Sequence, residues 1–254
     1  MKVTDKIQVY HGDCLDILPS LSKEGIKASA VICDIPYGTT QCSWDVVIQF
    51  DKMWEAIRCI SDDTTPIILF GAEPFSSMLR MSNINNYKYD IVWDKIKGTG
   101  FLNAKKQPMR NHENIMVFYK KQCLYNPQMT KGHKRKQSFR GKHHQTDAYG
   151  EMKNDYKYDS TERYPRSILE FSSDTQNSSL HPTQKPVSLM EYLIRTYTDE
   201  GGLVIDFAHG SGTTGVACYN TGRSYIGVEK DNSIFKISKD RLIQHTNKLR
   251  LFTA

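Results

Sequence analysis

Two short stretches of this chain combine residue types and spacings that could do chemistry. The first is Asp34-Ile35-Pro36-Tyr37-Gly38-Thr39-Thr40, which follows the apolar run Ala30-Val31-Ile32-Cys33. A carboxylate and an aromatic ring at the carboxyl end of a buried strand stand where open α/β sheets bind ligands. The exocyclic amine of a nucleobase is a poor nucleophile, because its lone pair is delocalised into the ring. The Asp34 carboxylate and the Ile35 carbonyl would supply two acceptors to hold its N–H bonds and stabilise developing positive charge. Tyr37 would stack on a base swung out of a duplex, and Pro36 would stiffen the turn. Asp, Pro and Gly also make ordinary turns, so these residues alone leave that alternative open.

The second stretch is Leu203-Val-Ile-Asp206-Phe207-Ala208-His209-Gly210-Ser211-Gly212-Thr213-Thr214-Gly215. Gly210, Gly212 and Gly215 satisfy G-x-G-x-x-G, and Glu229 lies 14 residues after Gly215 at the end of a further apolar run. Such a turn lets a ligand approach backbone N–H groups at a helix start, and an acid at the next strand tip can bind two ribose hydroxyls. A packing turn is the plainer alternative. Asp206 would repel pyrophosphate and attract an ammonium group. Only 25 residues follow Glu229, so the other strands of a nucleotide-binding sheet must come from upstream. S-adenosylmethionine, with its amino acid moiety and sulfonium, suits these constraints better than a dinucleotide.

The elements that must position these stretches are visible as short apolar runs alternating with helical periodicity, the pattern of an α/β sheet. Strands are predicted at Ile7 to Tyr10, Ala28 to Cys33, Pro66 to Phe70, Tyr89 to Trp93, Asn114 to Tyr119, Leu203 to Phe207 and Tyr225 to Glu229. Helices are predicted at Asp51 to Ile60, at Ser233 to Leu249, and at Val187 to Thr198. In the last of these Met190, Leu193, Ile194 and Tyr197 share a face behind Pro186.

A chain of 254 residues, 39% hydrophobic and 24% charged, can bury one substantial core, which excludes a disordered chain or a disulfide miniprotein. No apolar run approaches the ~18 residues of a membrane helix, and the amino terminus lacks a secretory pattern, so a cytoplasmic protein with no membrane partner is expected. The six cysteines are scattered, with no C-x-x-C pair, and read as reduced thiols. Net charge is +6, but Lys95 to Lys142 holds thirteen Lys or Arg against one acid, Glu113. That local +12 leaves −6 elsewhere and points to a polyanionic partner. Lys134, Arg135 and Lys136 form its densest cluster, with Arg140 close by, and these four are the candidate contacts to that partner. Between Lys120 and Ser179 the apolar pattern dissolves. The five tyrosines there argue for an insertion on the sheet rather than a linker.

With both stretches read, the chain resembles the DNA amino-methyltransferases, which methylate adenine N6 or cytosine N4. Asp34-Ile35-Pro36-Tyr37 matches their D/S-P-P-Y motif, with Ile35 in place of the first proline, and Asp206 to Thr214 resembles their cofactor turn. Asn111 to Tyr119 and His181-Pro-Thr-Gln-Lys185-Pro186 resemble two further segments, and the order is that of the permuted β group. The resemblance implies a circularly permuted, Rossmann-like methyltransferase fold built from residues 1–119 (catalytic half) and 180–254 (cofactor half), with a target recognition insertion at 120–179. It implies adenine N6 as the target, because the motif opens with Asp, with cytosine N4 as the alternative and a non-catalytic nucleic-acid-binding module or a nicotinamide-dependent oxidoreductase as more distant ones. Asp34, Ile35, Pro36 and Tyr37 are then catalytic. Phe207, His209, Gly210, Ser211, Gly212 and Thr213 join Asp206 and Glu229 around S-adenosylmethionine. Lys185 is expected on the cofactor carboxylate, and Asp13, in Gly12-Asp13-Cys14, near its adenine, unless Asp13 simply caps a helix. The chemistry needs no metal, and His143 and His144 would face solvent or phosphate. Double-stranded DNA is the expected partner; a homodimer and a restriction endonuclease partner are left open by the sequence.

Overall fold

The computed structural model describes residues 1–38, 45–140, 145–146, 150–151, 155–172 and 184–253. Thr39, Thr40, Cys42, Lys142, His143, His144, Tyr149 and residues 181–183 lie outside the described residues. The chain divides into two compact units, 1–126 with 167–254, and 127–166.

The larger unit is built on an eight-stranded sheet. In chain order its elements are β1 (Ile7–His11), α1 (Cys14–Lys23), β2 (Ala30–Cys33), α2 (Phe50–Ile60), β3 (Ile67–Gly71), α3 (Phe75–Ser82), β4 (Tyr87–Thr99) and β5 (Arg110–Phe118). After the smaller unit, which holds β6 (Lys136–Arg140), β7 (Gln145–Thr146), β8 (Gly150–Glu151) and β9 (Tyr156–Ser160), come β10 (Ile168–Glu170), α4 (Val187–Tyr197), β11 (Leu203–Asp206), α5 (Thr213–Asn220), β12 (Ser224–Glu229) and α6 (Asn232–Thr253). The order across the sheet is β1-β12-β11-β2-β3-β5-β4-β10, and β5 alone runs antiparallel to its neighbours.

The central strands are continuously apolar because both faces are covered. Ala30, Ile32, Ile68, Phe70 and Val204 pack with α4, α5 and Leu242 of α6 on one face. Val31, Cys33, Leu69, Ile205 and Val228 pack with α1, α2 and α3 on the other. Side chains alternate at every residue, so each strand feeds both layers. Helix starts have local causes: Asp13 accepts from the Leu15 N–H at 2.9 Å, and Asp231 accepts from Ser233 and Ile234 N–H at 2.8 and 2.9 Å. Among the described residues no helix is long and apolar enough to cross a membrane, and the five described cysteines are free thiols.

The arrangement of β11 and β2 matters most. They are parallel neighbours, Val204 opposite Ala30, and the chain leaves β11 toward β12 on one side and β2 toward β3 on the other. Divergence of the two connections opens a crevice at their carboxyl ends, the topological switch point of an open α/β sheet.

In the smaller unit β6 pairs with β9, Lys136 opposite Ser160, and β7 pairs with β8. Arg135 grips Asp159 through two bonds of 2.7 and 2.6 Å, and the Arg163 guanidinium donates to the carbonyls of Lys134, Ser160 and Glu162. The compact unit is shorter than the predicted 120–179 insertion. Cys123 is buried and Asn126 donates to the Thr196 carbonyl at 2.7 Å, while β10 extends the sheet beside β4, so residues at both ends of the predicted insertion belong to the larger unit.

Candidate active site

The crevice is a cavity of about 1220 Å³ within the larger unit. Its walls include Asp13, Asp34, Ile35, Pro36, Tyr37, Lys185, Asp206, Phe207, His209, Gly210, Ser211, Thr213 and Glu229, so one concavity gathers nearly all of the predicted catalytic and cofactor residues.

At one end β2 delivers Asp34. Its Oδ1 accepts from the Tyr37 hydroxyl at 2.8 Å, and its Oδ2 accepts from Lys185 Nζ at 2.5 Å. Lys185, placed just before α4 by the Pro186 turn, is buried and also bonds Glu113 Oε2 at 3.2 Å. Glu113, on β5, additionally holds Lys95 and lies 3.4 Å from the Tyr37 hydroxyl. Two carboxylates and two ammonium groups thus balance in a pocket walled by Tyr37, Phe70 and Trp93, whose ring centroids lie 5.8, 5.2 and 5.9 Å from Lys185 Nζ. Burial opposes ionisation of Glu113, but Lys185 and Lys95 outweigh it and pull its pKa down to about 2. Burial and the charge of Glu113 push Asp34 upward against the pull of Lys185. Lys185 itself is raised, its burial overcome by the two carboxylates.

At the other end β11 delivers Asp206, only 3% exposed. Burial raises its pKa to about 7, although Thr214 Oγ1 donates to it at 2.6 Å and Cys33 and the Ala208 N–H add weaker bonds. The turn that follows needs the left-handed conformation at Gly210 (φ 49°) and Gly212 (φ 78°) before α5 begins. Glu229, at the tip of β12, accepts from the Gly210 N–H at 2.9 Å and the Asp231 N–H at 2.8 Å, so it braces the turn it faces. Asp13, at the tip of β1, caps α1 and bonds Lys230 Nζ at 2.8 Å.

A profile of the N6/N4 DNA methylase family matches residues 28–240. The chain belongs to that family. The type II methyltransferase M2.DpnII of Streptococcus pneumoniae is 45% identical over 62 residues, 24% of this chain and 23% of that protein. The type II methyltransferase M.HpaI of Haemophilus parainfluenzae is 24% identical over 218 residues, 83% of this chain and 65% of that protein. The matches thus span less than two thirds of these curated relatives. The crystal structure of an M1.HpyAVI–SAM complex superposes with a TM-score of 0.65 and 25% identity, covering 93% of this chain and 100% of that one.

Several residue roles differ in this family member from those read in its sequence. Lys185 was expected on a cofactor carboxylate, yet its ammonium is committed to Asp34 and Glu113. Both ring nitrogens of His209 are engaged within the protein: Nδ1 is 3.1 Å from the Tyr225 hydroxyl and Nε2 2.8 Å from Ser238 Oγ, which ties the turn to β12 and α6. Burial, then the nearby Arg241, lowers its pKa to about 3 and keeps it neutral. Gly212 is not among the cavity-lining residues, and its positive φ by itself calls for glycine there. The ring of Tyr37 stacks on Phe75, 5.1 Å between centroids, and Lys185 Nζ lies 5.8 Å from its centroid. Ile35 is 3% exposed and packs with the α1 to α3 layer, so the residue in the proline position anchors the turn by burial. Among the candidate DNA contacts, Lys134, Lys136 and Arg140 are exposed, but Arg135 is engaged by Asp159. Glu113, Lys95 and Arg241 were missed. Arg241 donates to the Ser211 carbonyl at 2.9 Å and Thr213 Oγ1 at 3.0 Å. The signals for Glu113 were its position as the single acid in a run of thirteen cations and its place in the segment Asn111 to Tyr119.

Proposed function

We propose that the chain is a site-specific DNA methyltransferase of the permuted β group, acting on adenine N6 in duplex DNA with S-adenosylmethionine as methyl donor. The observation that carries this reading is the single crevice in which Asp34 and Asp206, from adjacent parallel strands, face one ligand space. Its volume exceeds the ~300–1,000 Å³ of an ordinary small-molecule pocket and suits a cofactor plus a flipped base.

S-adenosylmethionine supplies a methyl group made electrophilic by its sulfonium. The residues present fit such a ligand: a buried carboxylate poised near neutrality, Asp206, gains most from an ammonium partner, and Glu229 stands at the neighbouring strand tip where ribose hydroxyls are bound. Phe207, Gly210, Ser211 and Thr213 line the same end, with Asp13 on the next strand tip. At the other end each oxygen of Asp34 accepts one bond, from Lys185 and from Tyr37, and keeps a second lone pair with which to accept an incoming amine. Lys185, held also by Glu113, balances the charge of the carboxylate. Asp34 and the Ile35 carbonyl then accept the two N6 hydrogens and localise the nitrogen lone pair toward the methyl donor. After transfer the surplus N6 proton passes to Asp34, whose raised pKa suits it to receive one. Asp as the opening residue of the motif supports adenine over cytosine. The basic smaller unit, with Lys134, Lys136 and Arg140 exposed, supports target recognition on a polyanion.

The test is nucleoside analysis of DNA from methylation-free cells expressing the protein. N6-methyldeoxyadenosine is expected, and N4-methyldeoxycytidine as the sole product would overturn the adenine reading. Asp34→Ala should slow single-turnover transfer by about a hundredfold or more with cofactor affinity nearly unchanged.

A further inference from the structure

The hairpin of β4 and β5 changes character along its length. Its inner half is core: Trp93 is 2% exposed and Ile115 fully buried. Beyond Asp94 the pairing register shifts, and residues 95–99 with Arg110 line the crevice wall. Ile96 sits at φ 68°, a conformation that penalises a β-branched residue, with its N–H held by Asp94 Oδ1 at 2.7 Å. The tip is a 3₁₀ turn, Phe101–Asn103, entered through Gly100 at φ 86°. Phe101 is 79% and Leu102 96% exposed, two adjacent large apolar side chains turned to solvent, with Ile96 at 59% and Met109 at 41% behind them. Along the sequence from Lys95 to Arg110 there are five Lys or Arg and no acid; Lys95 is turned inward to Glu113, while Lys105, Lys106 and Arg110 are exposed.

An apolar tip followed along the chain by the exposed cations Lys105, Lys106 and Arg110 fits a partner that is polyanionic outside and apolar within. A duplex from which one base has been withdrawn offers both, phosphates along its edge and an unstacked slot at its centre. The hairpin leaves the wall of the cavity that would receive the base. We infer that Phe101 and Leu102 form a wedge that enters the duplex and fills the gap left by the flipped target, while Lys105 and Lys106 lean on flanking phosphates. This inference rests on the proposed function, base flipping in duplex DNA.

The test compares two duplexes in single-turnover methylation, one with the target paired and one with it opposite an abasic site, where unpairing is already done. Phe101→Ala/Leu102→Ala should lose at least tenfold on the paired duplex and recover most of it on the abasic one. Its melting temperature and its affinity for S-adenosylmethionine should match the parent, since both side chains are exposed and make no core contact. With 2-aminopurine at the target position, the fluorescence rise on binding should fall. Lys105→Gln/Lys106→Gln should instead lose activity alike on both duplexes, recoverable at lower salt. Equal loss of the apolar double variant on both duplexes, or none on the paired one, overturns the wedge while leaving the methyltransferase reading intact. A parent protein inactive on both duplexes overturns that reading, and the wedge with it.

Discussion

Replacing Asp206 with Asn should make the protein gain stability relative to the parent as pH rises and should weaken the proposed cofactor site, with a pH dependence that identifies the cause. The folded-state pKa of Asp206 is about 7, against the ordinary carboxylate value of about 3.9 in the unfolded chain. Because the folded value is the higher one, stability is fully present below about pH 4 and is lost as pH rises through about 7. Three pKa units correspond to roughly 4 kcal/mol once both states are ionised, of which about 2 kcal/mol is lost between about pH 5.5 and 8.5. Asn cannot ionise. The bonds from Thr214, Cys33 and the Ala208 N–H change with the substitution, but their contribution does not vary over that range. The stability difference between Asp206→Asn and the parent should therefore shift in favour of the variant by about 2 kcal/mol from about pH 5.5 to 8.5, whatever its starting value. Urea unfolding midpoints across that range would measure it. Parent affinity for S-adenosylmethionine, by calorimetry, should rise with pH up to about 7 and flatten above, and the variant should lose both affinity and slope. A stability difference that stays constant across the range would refute the claim that an ionisable buried carboxylate sits at the tip of β11.

Lys185→Met leaves Asp34 with Tyr37 alone while Glu113 keeps Lys95. It should cost about 2–4 kcal/mol at alkaline pH, less in acid as Asp34 takes a proton, and Asp34→Asn in the same background should restore part of it in unfolding measurements. A Cβ at Gly212 meets only ordinary contacts, 3.5 Å to His209 and Leu242, whereas one at Gly215 lies 2.8 Å from Tyr225 and 2.9 Å from Leu242. Thermal unfolding should thus rank Gly215→Ala as more damaging than Gly212→Ala, the latter losing about 1 kcal/mol through its positive φ. Replacing Lys134, Lys136 and Arg140 with Gln should flatten the salt dependence of duplex binding by about 0.9 in log–log slope per lost phosphate contact. Arg135→Gln should instead loosen the β6–β9 hairpin, seen as faster amide exchange at Ser138 and Tyr158, because its partner is Asp159.

Elements with a long apolar run or full helical period were legible in the sequence. All seven predicted strands and the helices near Asp51, Val187 and Ser233 form, most within a few residues of their expected bounds, but β4 runs six residues past the expected Trp93, to Thr99. The helices α1 and α3, the edge strand β10 and the strands of the smaller unit went unread. α1 has Pro19 inside it, α3 has eight residues and so barely two turns of periodicity, β10 has three residues, and the strands of the smaller unit are polar on nearly every position.

By itself the sequence determined which residues stand at the carboxyl ends of β2, β11 and β12, because strand, turn and helix signals are local: Asp34, Asp206 and Glu229 could be named from spacing alone. Tertiary structure alone decided what each of them touches. Lys185 reaches Asp34 across 151 residues, Glu113 comes to both from an antiparallel strand, and Arg241 and Ser238 reach the glycine turn from the last helix. Whether an ionisable side chain faces a ligand or another side chain depends on strand order and helix packing, to which local spacing carries no signal. His209 sits in the glycine motif and looks like a ligand contact there, yet the packing of β12 and α6 turns it into a neutral strut.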